Sequence, residues 1–446
     1  MQRKLGSFDL TMIVISLVIG MGIFKSPVMV AHAAIDPSVF YAAWIVGGII
    51  ALCGALTFAE IGSRLPVTGG YYRIFSHCFH PSVAFILNCT ILVSNAASVA
   101  AVALIGAEYI AGVFVSPTDP QMETYRVLIA AGEIGLFFGL NMLGLKTSAR
   151  TQNVLTVFKI GIVLLLCLAI FNPSTEYLSE EAVALQAYYK NPGALDYIMS
   201  LGICLIPISF TYGGYQQTIN FGGDVENASR VMPKGIILGI AIVVVCYLTI
   251  NYAYMHSIQF ENLKLASNIG TTLAKKVFGD YGSKIFTSVF FVAVLAYVNV
   301  GLMSNPRVIM AMSEEGVLPK IFSRKSDKYD VPVISLLVFT AMCLSILFFA
   351  KAFDQIVNYV IFLDSLGLVA AAATVFILRK RKSGEDMKPY KMALYPAAPV
   401  FFMLAYAFVT FSIIVDKPVS VLWGCGVLFF FLIVYFLLKL LPKNAR

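Results

Sequence analysis

Long apolar runs alternate with short polar stretches along the whole chain. A helix rising about 1.5 Å per residue needs roughly 20 apolar residues to cross a hydrocarbon core. The pattern predicts about twelve such spans, at residues 10–34, 39–63, 83–114, 126–145, 151–171, 197–218, 234–256, 283–305, 332–350, 355–378, 394–415 and 419–441. No soluble domain fits between them. The longest gaps, near 172–196, 257–282 and 306–331, have room for short surface helices. The reading is an all-α integral membrane protein forming a single domain over residues 1–446.

Composition supports it. The 446 residues are 59% hydrophobic and only 13% charged, where soluble domains carry about a quarter charged residues. The run after Arg3 and Lys4, ending near Ala31-His32-Ala33, has some features of a secretory signal but exceeds the usual apolar core of about 7–15 residues. It is read as span 1. The net charge of +8 invites a nucleic-acid reading until its placement is considered. With the N-terminus inside, the inner loops hold 22 of the 32 Lys and Arg residues and the outer loops 8, leaving Lys25 and Lys159 within spans. That asymmetry follows the positive-inside rule and puts both termini in the cytoplasm. No nucleic-acid partner is needed. The eight cysteines form no CxxC pair and the four histidines do not cluster, so no metal or cofactor is expected.

Two spans carry glycine where a lipid-embedded helix should run on. Span 1 contains Ile19-Gly20-Met21-Gly22-Ile23-Phe24, and span 6 contains Phe210-Thr211-Tyr212-Gly213-Gly214-Tyr215 with Pro207 just ahead. Unwound backbone at membrane depth is tolerated only against protein or a watery cavity. Interrupted spans at corresponding places in two halves point to a transporter binding site. Half-helix N-termini offer N–H groups to a carboxylate, and unwound carbonyls accept from an ammonium. A zwitterionic amino acid matches both. Taken singly, each motif is equally well read as close-packing glycine.

Ionisable residues inside spans are functional candidates by default. Lys159 lies near the middle of span 5, where its ammonium has the alternatives of replacing a coupling cation, carrying a proton or simply binding carbonyls. Asp364, about ten residues into span 10, is a possible proton site, and Glu133 in span 4 is a further candidate. Glu60, Arg64 and Glu108 sit nearer span ends and read as interfacial.

Several stretches together resemble the amino acid–polyamine–organocation superfamily, and within it the L-type amino acid transporters and their bacterial relatives. They are Gly20 to Phe24 with Pro27, Ala59 to Pro66 with Thr68 to Tyr71, Asn141 to Gly144 with Lys146, Ala149-Arg150, Gln152-Asn153 and Lys159, the run Phe210 to Tyr215 with Glu226-Asn227 and Pro233-Lys234, and Ser304 to Arg307 with Glu315 to Pro319. The resemblance implies a five-plus-five inverted repeat over residues 8–171 and 197–380, with spans 11 and 12 appended over 391–441. It implies alternating access around discontinuous spans 1 and 6. Carried over by position, Val18, Ile19, Met21, Gly22 and Ile23 form the span 1 part of the substrate site. Phe210, Thr211 and Gly213 form the span 6 part, with Phe210 and Tyr215 as gating aromatics. Lys159 matches the family lysine that stands where sodium-coupled relatives hold a sodium ion.

Met21 replaces a common Ser, Ser16 a common Gly and Tyr215 a common Trp. The loop near Val115–Arg126 contains no Cys, so no disulfide-linked heavy chain is expected there. The expected function is sodium-independent exchange of neutral amino acids across the inner membrane of a bacterium, since neither break contains an acid to select a dication. A proton-coupled amino acid or polyamine symporter is the alternative within the class. A membrane sensor or enzyme without transport is the alternative outside it, and no clustered catalytic set, Walker A loop or HExxH motif favours it.

Overall fold

The computed structural model describes residues 5–20, 22–116, 119–173, 192–266, 269–349 and 353–440. Among them no β-strand occurs, and the chain is a bundle of helices: α1 (Ser7–Val18), α2 (Gly22–Ala33), α3 (Pro37–Arg64), α4 (Gly70–Cys78), α5 (Pro81–Phe114), α6 (Met122–Asn141), α7 (Leu145–Cys167), α8 (Ala194–Tyr212), α9 (Ala228–Ile258), α10 (Phe260–Leu265), α11 (Ile269–Ser304), α12 (Pro306–Glu314), α13 (Val333–Phe349), α14 (Phe353–Lys380), α15 (Ala397–Asp416) and α16 (Pro418–Leu440). Among the described residues nine helices are long and apolar enough to cross a membrane, and α1 with α2 makes a tenth span bent by 40°. The remaining two predicted spans are also helical. α6 has 20 residues, and α13 has 17 and is the shorter apolar helix.

Differences from the predicted spans lie at their ends. Span 7 starts earlier, because Asn227 in a left-handed conformation (φ 46°) opens α9 six residues before Lys234. Span 8 lies within a longer helix, α11, that turns at Gly279 (φ 72°). The short helices α4, α10 and α12, of 9, 6 and 9 residues, are too short to cross and serve as connectors.

The core forms where the inner faces of these helices meet, and α5 is the most deeply buried of the long spans among the described residues. α5 packs against α11, α14 and α13, and α9 against α3 and α1. Peripheral helices show the reverse. Val154, Val157, Phe158 and Leu164 of α7, and Leu422, Trp423, Phe429 and Phe430 of α16, are exposed large apolar side chains. Such outward-facing residues are what a hydrocarbon solvent accommodates.

One charged cluster corrects the interfacial reading of Glu60 and Arg64. Both are buried, at 0% and 1% exposure. Glu60 Oε1 accepts from Arg64 Nε (2.8 Å) and Arg379 Nε (2.7 Å), and Oε2 accepts from Arg379 Nη2 (2.7 Å) and the Met392 N–H (2.9 Å). The residues after α14 cross the end of α3 to make this possible: Tyr390 N–H donates to Ser63 Oγ (3.0 Å), and Gly384 (φ 70°) lies against the Arg64 carbonyl. A carboxylate taken out of water is tolerated when its lone pairs are filled and a cation is at hand. Glu60 therefore pins α3, α14 and the α14–α15 connection together. Glu60→Gln leaves two guanidinium groups without their anion and is expected to destabilise the protein by about 3–5 kcal/mol. Thermal unfolding of the purified variant in detergent measures it.

Candidate functional site

Both glycine motifs interrupt their helices. α1 ends at Val18, Ile19 leaves helical geometry (ψ 87°), and α2 begins at Gly22. Met21 lies outside the described residues. α8 ends at Tyr212, Gly213 is extended (ψ 168°), and Gly214 takes φ 109° before a short 3-10 turn at Tyr215–Asn220. The positive φ at Gly214 is open to glycine alone among common residues. A side chain there would also lie 2.3 Å from the Leu17 carbonyl. At Gly22 a Cβ would come within 2.8 Å of Thr211 Oγ1 and 3.0 Å of Thr211 Cα. The two breaks therefore touch, and small residues set how closely.

Each break exposes carbonyls that lipid could not satisfy. Lys159, 1% exposed, donates from Nζ to the carbonyl of Ile19, and to Ser16 O (3.4 Å) and Ser16 Oγ (3.3 Å). Tyr247 OH lies between the breaks, 2.9 Å from Val18 O and 3.2 Å from Thr211 O. A relay of buried amides stands behind the lysine. Gln152 Nε2 donates to Ser16 Oγ and to Ala296 O (3.0 Å), Asn299 Nδ2 to Gln152 Oε1 (2.7 Å), and Asn141 Nδ2 to Asn299 Oδ1 (3.0 Å). These side chains fix the ends of α1 and α8, while the first N–H groups of α2 have no partner inside their own helix and none outside it among the described residues.

The breaks face a narrow cleft with a cavity volume of about 30 Å³. Val18, Gly20 and Gly22 line it from one break, and Phe210, Thr211, Gly213 and Gly214 from the other. Asn95 and Ser98 of α5, Tyr297 of α11, Asp364 of α14 and Tyr406 of α15 complete the wall. Ile19 and Ile23 are fully buried and lie outside the lining, although the Ile19 carbonyl is held by Lys159. Phe210 packs toward Ala97, Ala101 and Val360 across the cleft. Tyr215 is 1% exposed, sits against Phe58 with its hydroxyl near Gly54, and lies outside the lining. Glu133 is also away from the cleft, buried in α6 with neither carboxylate oxygen hydrogen-bonded among the described residues.

One part of the cleft wall is closed by a ring of three amides. Gln217 Nε2 donates to Asn95 Oδ1 (3.0 Å), Asn95 Nδ2 to Asn305 Oδ1 (2.6 Å), and Asn305 Nδ2 to Gln217 Oε1 (3.3 Å). Asn305 falls in the matched stretch Ser304 to Arg307, whereas Asn95, Gln217, Tyr247 and the two cleft tyrosines were not singled out in the sequence. The signal available was polarity: Ser94, Asn95 and Ser98 fall on one helical face of an otherwise apolar run.

Two discontinuous helices meeting at a polar cleft inside a multi-pass membrane bundle define the class: a membrane transporter of the broken-helix kind. The model of the amino acid permease family matches residues 5–438, and the chain belongs to that family. It is similar to the serine/threonine exchanger SteT of Bacillus subtilis, 27% identical over 96% of this chain and 93% of that one. The human cystine/glutamate transporter is 26% identical over 100% of this chain and 87% of its own, and the mouse b(0,+)-type amino acid transporter 1 is 26% identical over 98% and 89%. The protein is an amino acid transporter, not an enzyme.

Gly22→Val drives the breaks apart and is expected to cut uptake at least about a hundredfold, since misplacement by an ångström at a binding centre has effects of that order. Uptake by proteoliposomes, normalised to inserted protein, checks it.

Proposed function

We propose that this protein exchanges amino acids across a bacterial cytoplasmic membrane by alternating access and without sodium, the substrate's zwitterionic head being gripped by backbone at the two breaks. The observation that carries the reading is the meeting of both breaks at one cleft. A carboxylate is stabilised by the free N–H groups and positive dipole end at the start of α2. An ammonium is stabilised by carbonyls at the ends of α1 and α8. No side-chain charge is required for either, so the loss of a hydroxyl at Met21 leaves the grip intact.

In this reading Val18, Ile19, Met21, Gly22 and Ile23 with Phe210, Thr211 and Gly213 make up the head-group site through their main chains as much as their side chains. Phe210, spanning from α8 toward α5 and α14, is the gate on its side of the cleft. Lys159 supplies the positive charge at the α1 break that a bound metal cation would otherwise bring, which supports sodium-independent transport. Residues 8–171 and 197–380 act as paired inverted repeats, and the bundle around them turns the cleft from one face to the other. The excess of Lys and Arg in one set of loops supports cytoplasmic termini. The similarity to an exchanger from Bacillus subtilis and to other amino acid transporters supports exchange. Proton-coupled symport is the second reading, favoured by the position of Asp364 in the cleft wall.

Efflux of a preloaded amino acid from proteoliposomes is expected to need external amino acid and to be indifferent to replacing sodium by choline. Efflux driven equally well by a pH gradient alone sinks exchange in favour of symport. Lys159→Ala removes the charge-assisted contacts to Ser16 and Ile19 and is expected to lower turnover at least about tenfold, as loss of one such bond does. Initial rates at saturating substrate measure it.

A further inference from the structure

The cleft has two chemically different walls. One is main chain, from the breaks. The other is side chains, and Asp364 is the one charged group among the described residues that line it. No basic side chain lies within ion-pair distance of Asp364 among the described residues. Ser94 Oγ donates to Oδ1 at 2.6 Å, and Oδ2 has no hydrogen-bond partner among the described residues. Tyr297 and Tyr406 line the same cleft. Asp364 keeps partial exposure, and the space it meets is the cleft.

A carboxylate that meets only a narrow cleft is costly unless a positive charge or a proton joins it. The same protein shows full compensation at Glu60, where two arginines and a backbone N–H fill the lone pairs. At Asp364 the resident partner is one serine hydroxyl. The balancing charge must then arrive from outside. A solute held by its head group at the breaks extends its side chain over this wall. The neutral-substrate expectation counted acids within the breaks only, and the wall across from them holds one.

We propose that Asp364 is the counter-ion for a cationic group at the far end of the substrate's side chain, so that the transporter prefers dibasic amino acids to neutral ones of the same length. The proposal rests on the head-group reading of the breaks given above. A neutral side chain of equal length leaves the carboxylate desolvated and unpaired, which is the stronger part of the discrimination. The carboxylate thus acts on selection between amino acids, and the breaks act on recognition of amino acids as a class.

The experiment compares L-lysine with L-norleucine, which has the same number of side-chain carbons and no distal ammonium, on purified full-length protein. Thermal-shift titration gives affinities and confirms folding, and proteoliposome uptake gives transport. The wild type is expected to bind lysine at least about tenfold more tightly than norleucine. D364N is expected to collapse that ratio toward one, and D364E to restore most of it. A ratio near one in the wild type, or one unchanged by D364N, overturns the assignment while leaving the head-group reading standing. Binding of neither amino acid, nor of serine or any other common amino acid, overturns the head-group reading itself. Lysine uptake that needs an inward proton gradient in the wild type, and loses that need in D364N, gives the balancing charge to a proton and also overturns the proposal.

Discussion

Every peptide group within a bilayer must find a hydrogen-bond partner in the protein, and the architecture of this transporter follows from where that requirement is deliberately left open. A continuous helix meets it internally. At Val18–Gly22 and Tyr212–Gly214 the chain gives up that solution twice. The carbonyls released are taken up by groups from other helices: Lys159 on Ile19, and Tyr247 on Val18 and Thr211. The N–H of Gly214 donates to Gln216 Oε1 at 2.8 Å. The N–H groups at the start of α2 have no partner within their own helix and suit a carboxylate, while the second lone pairs of the released carbonyls suit an ammonium. Glycine at 22 and 214 is the steric condition for bringing two open ends together.

The rest of the bundle can be ranked by how directly it serves those ends. The relay from Lys159 through Gln152 and Asn299 to Asn141 couples α1, α7, α11 and α6 without an apolar gap. Such networks hold a geometry firmly when every member is satisfied. The Gln217–Asn95–Asn305 ring differs in kind, because amide pairs joining α5, the turn after α8 and the start of α12 can exchange for water or for one another at modest cost. Asn95 and Gln217 of this ring line the cleft. The Glu60 cluster is far stiffer, with charges rather than amides, and holds α3 to α14 away from the cleft. Rigid charged anchoring and softer amide closure are thus separated in space.

Much of this was legible in the amino-acid order, and the limits have physical causes. Spans were readable because a hydrocarbon solvent demands long apolar runs, and both breaks because glycine doublets are out of place in them. Lys159 stood out for the same reason. Ser16, Gln152 and Asn141 also stood in or beside the matched motifs, but their joining into one relay was hidden, since Ser16, Gln152 and Asn299 lie 136 and 147 positions apart in sequence and meet only in the fold. Tyr247 was hidden because tyrosine is unremarkable in a membrane helix until its hydroxyl is seen between two carbonyls. Glu60 read as interfacial from its place near a span end, and only the return of residues 383–392 over α3 buries it. Asp364 was noticed for its charge, but its position in the same cleft as the breaks required the packing of α14 against α5.

The most direct test is the structure of the protein with a transported amino acid bound, at a resolution that distinguishes head group from side chain. The carboxylate is expected within hydrogen-bond distance of main-chain N–H groups at the start of α2, and the α-ammonium on carbonyls at the ends of α1 and α8. A head group seated on side chains elsewhere in the bundle, with the N–H groups of α2 facing water, would contradict this placement.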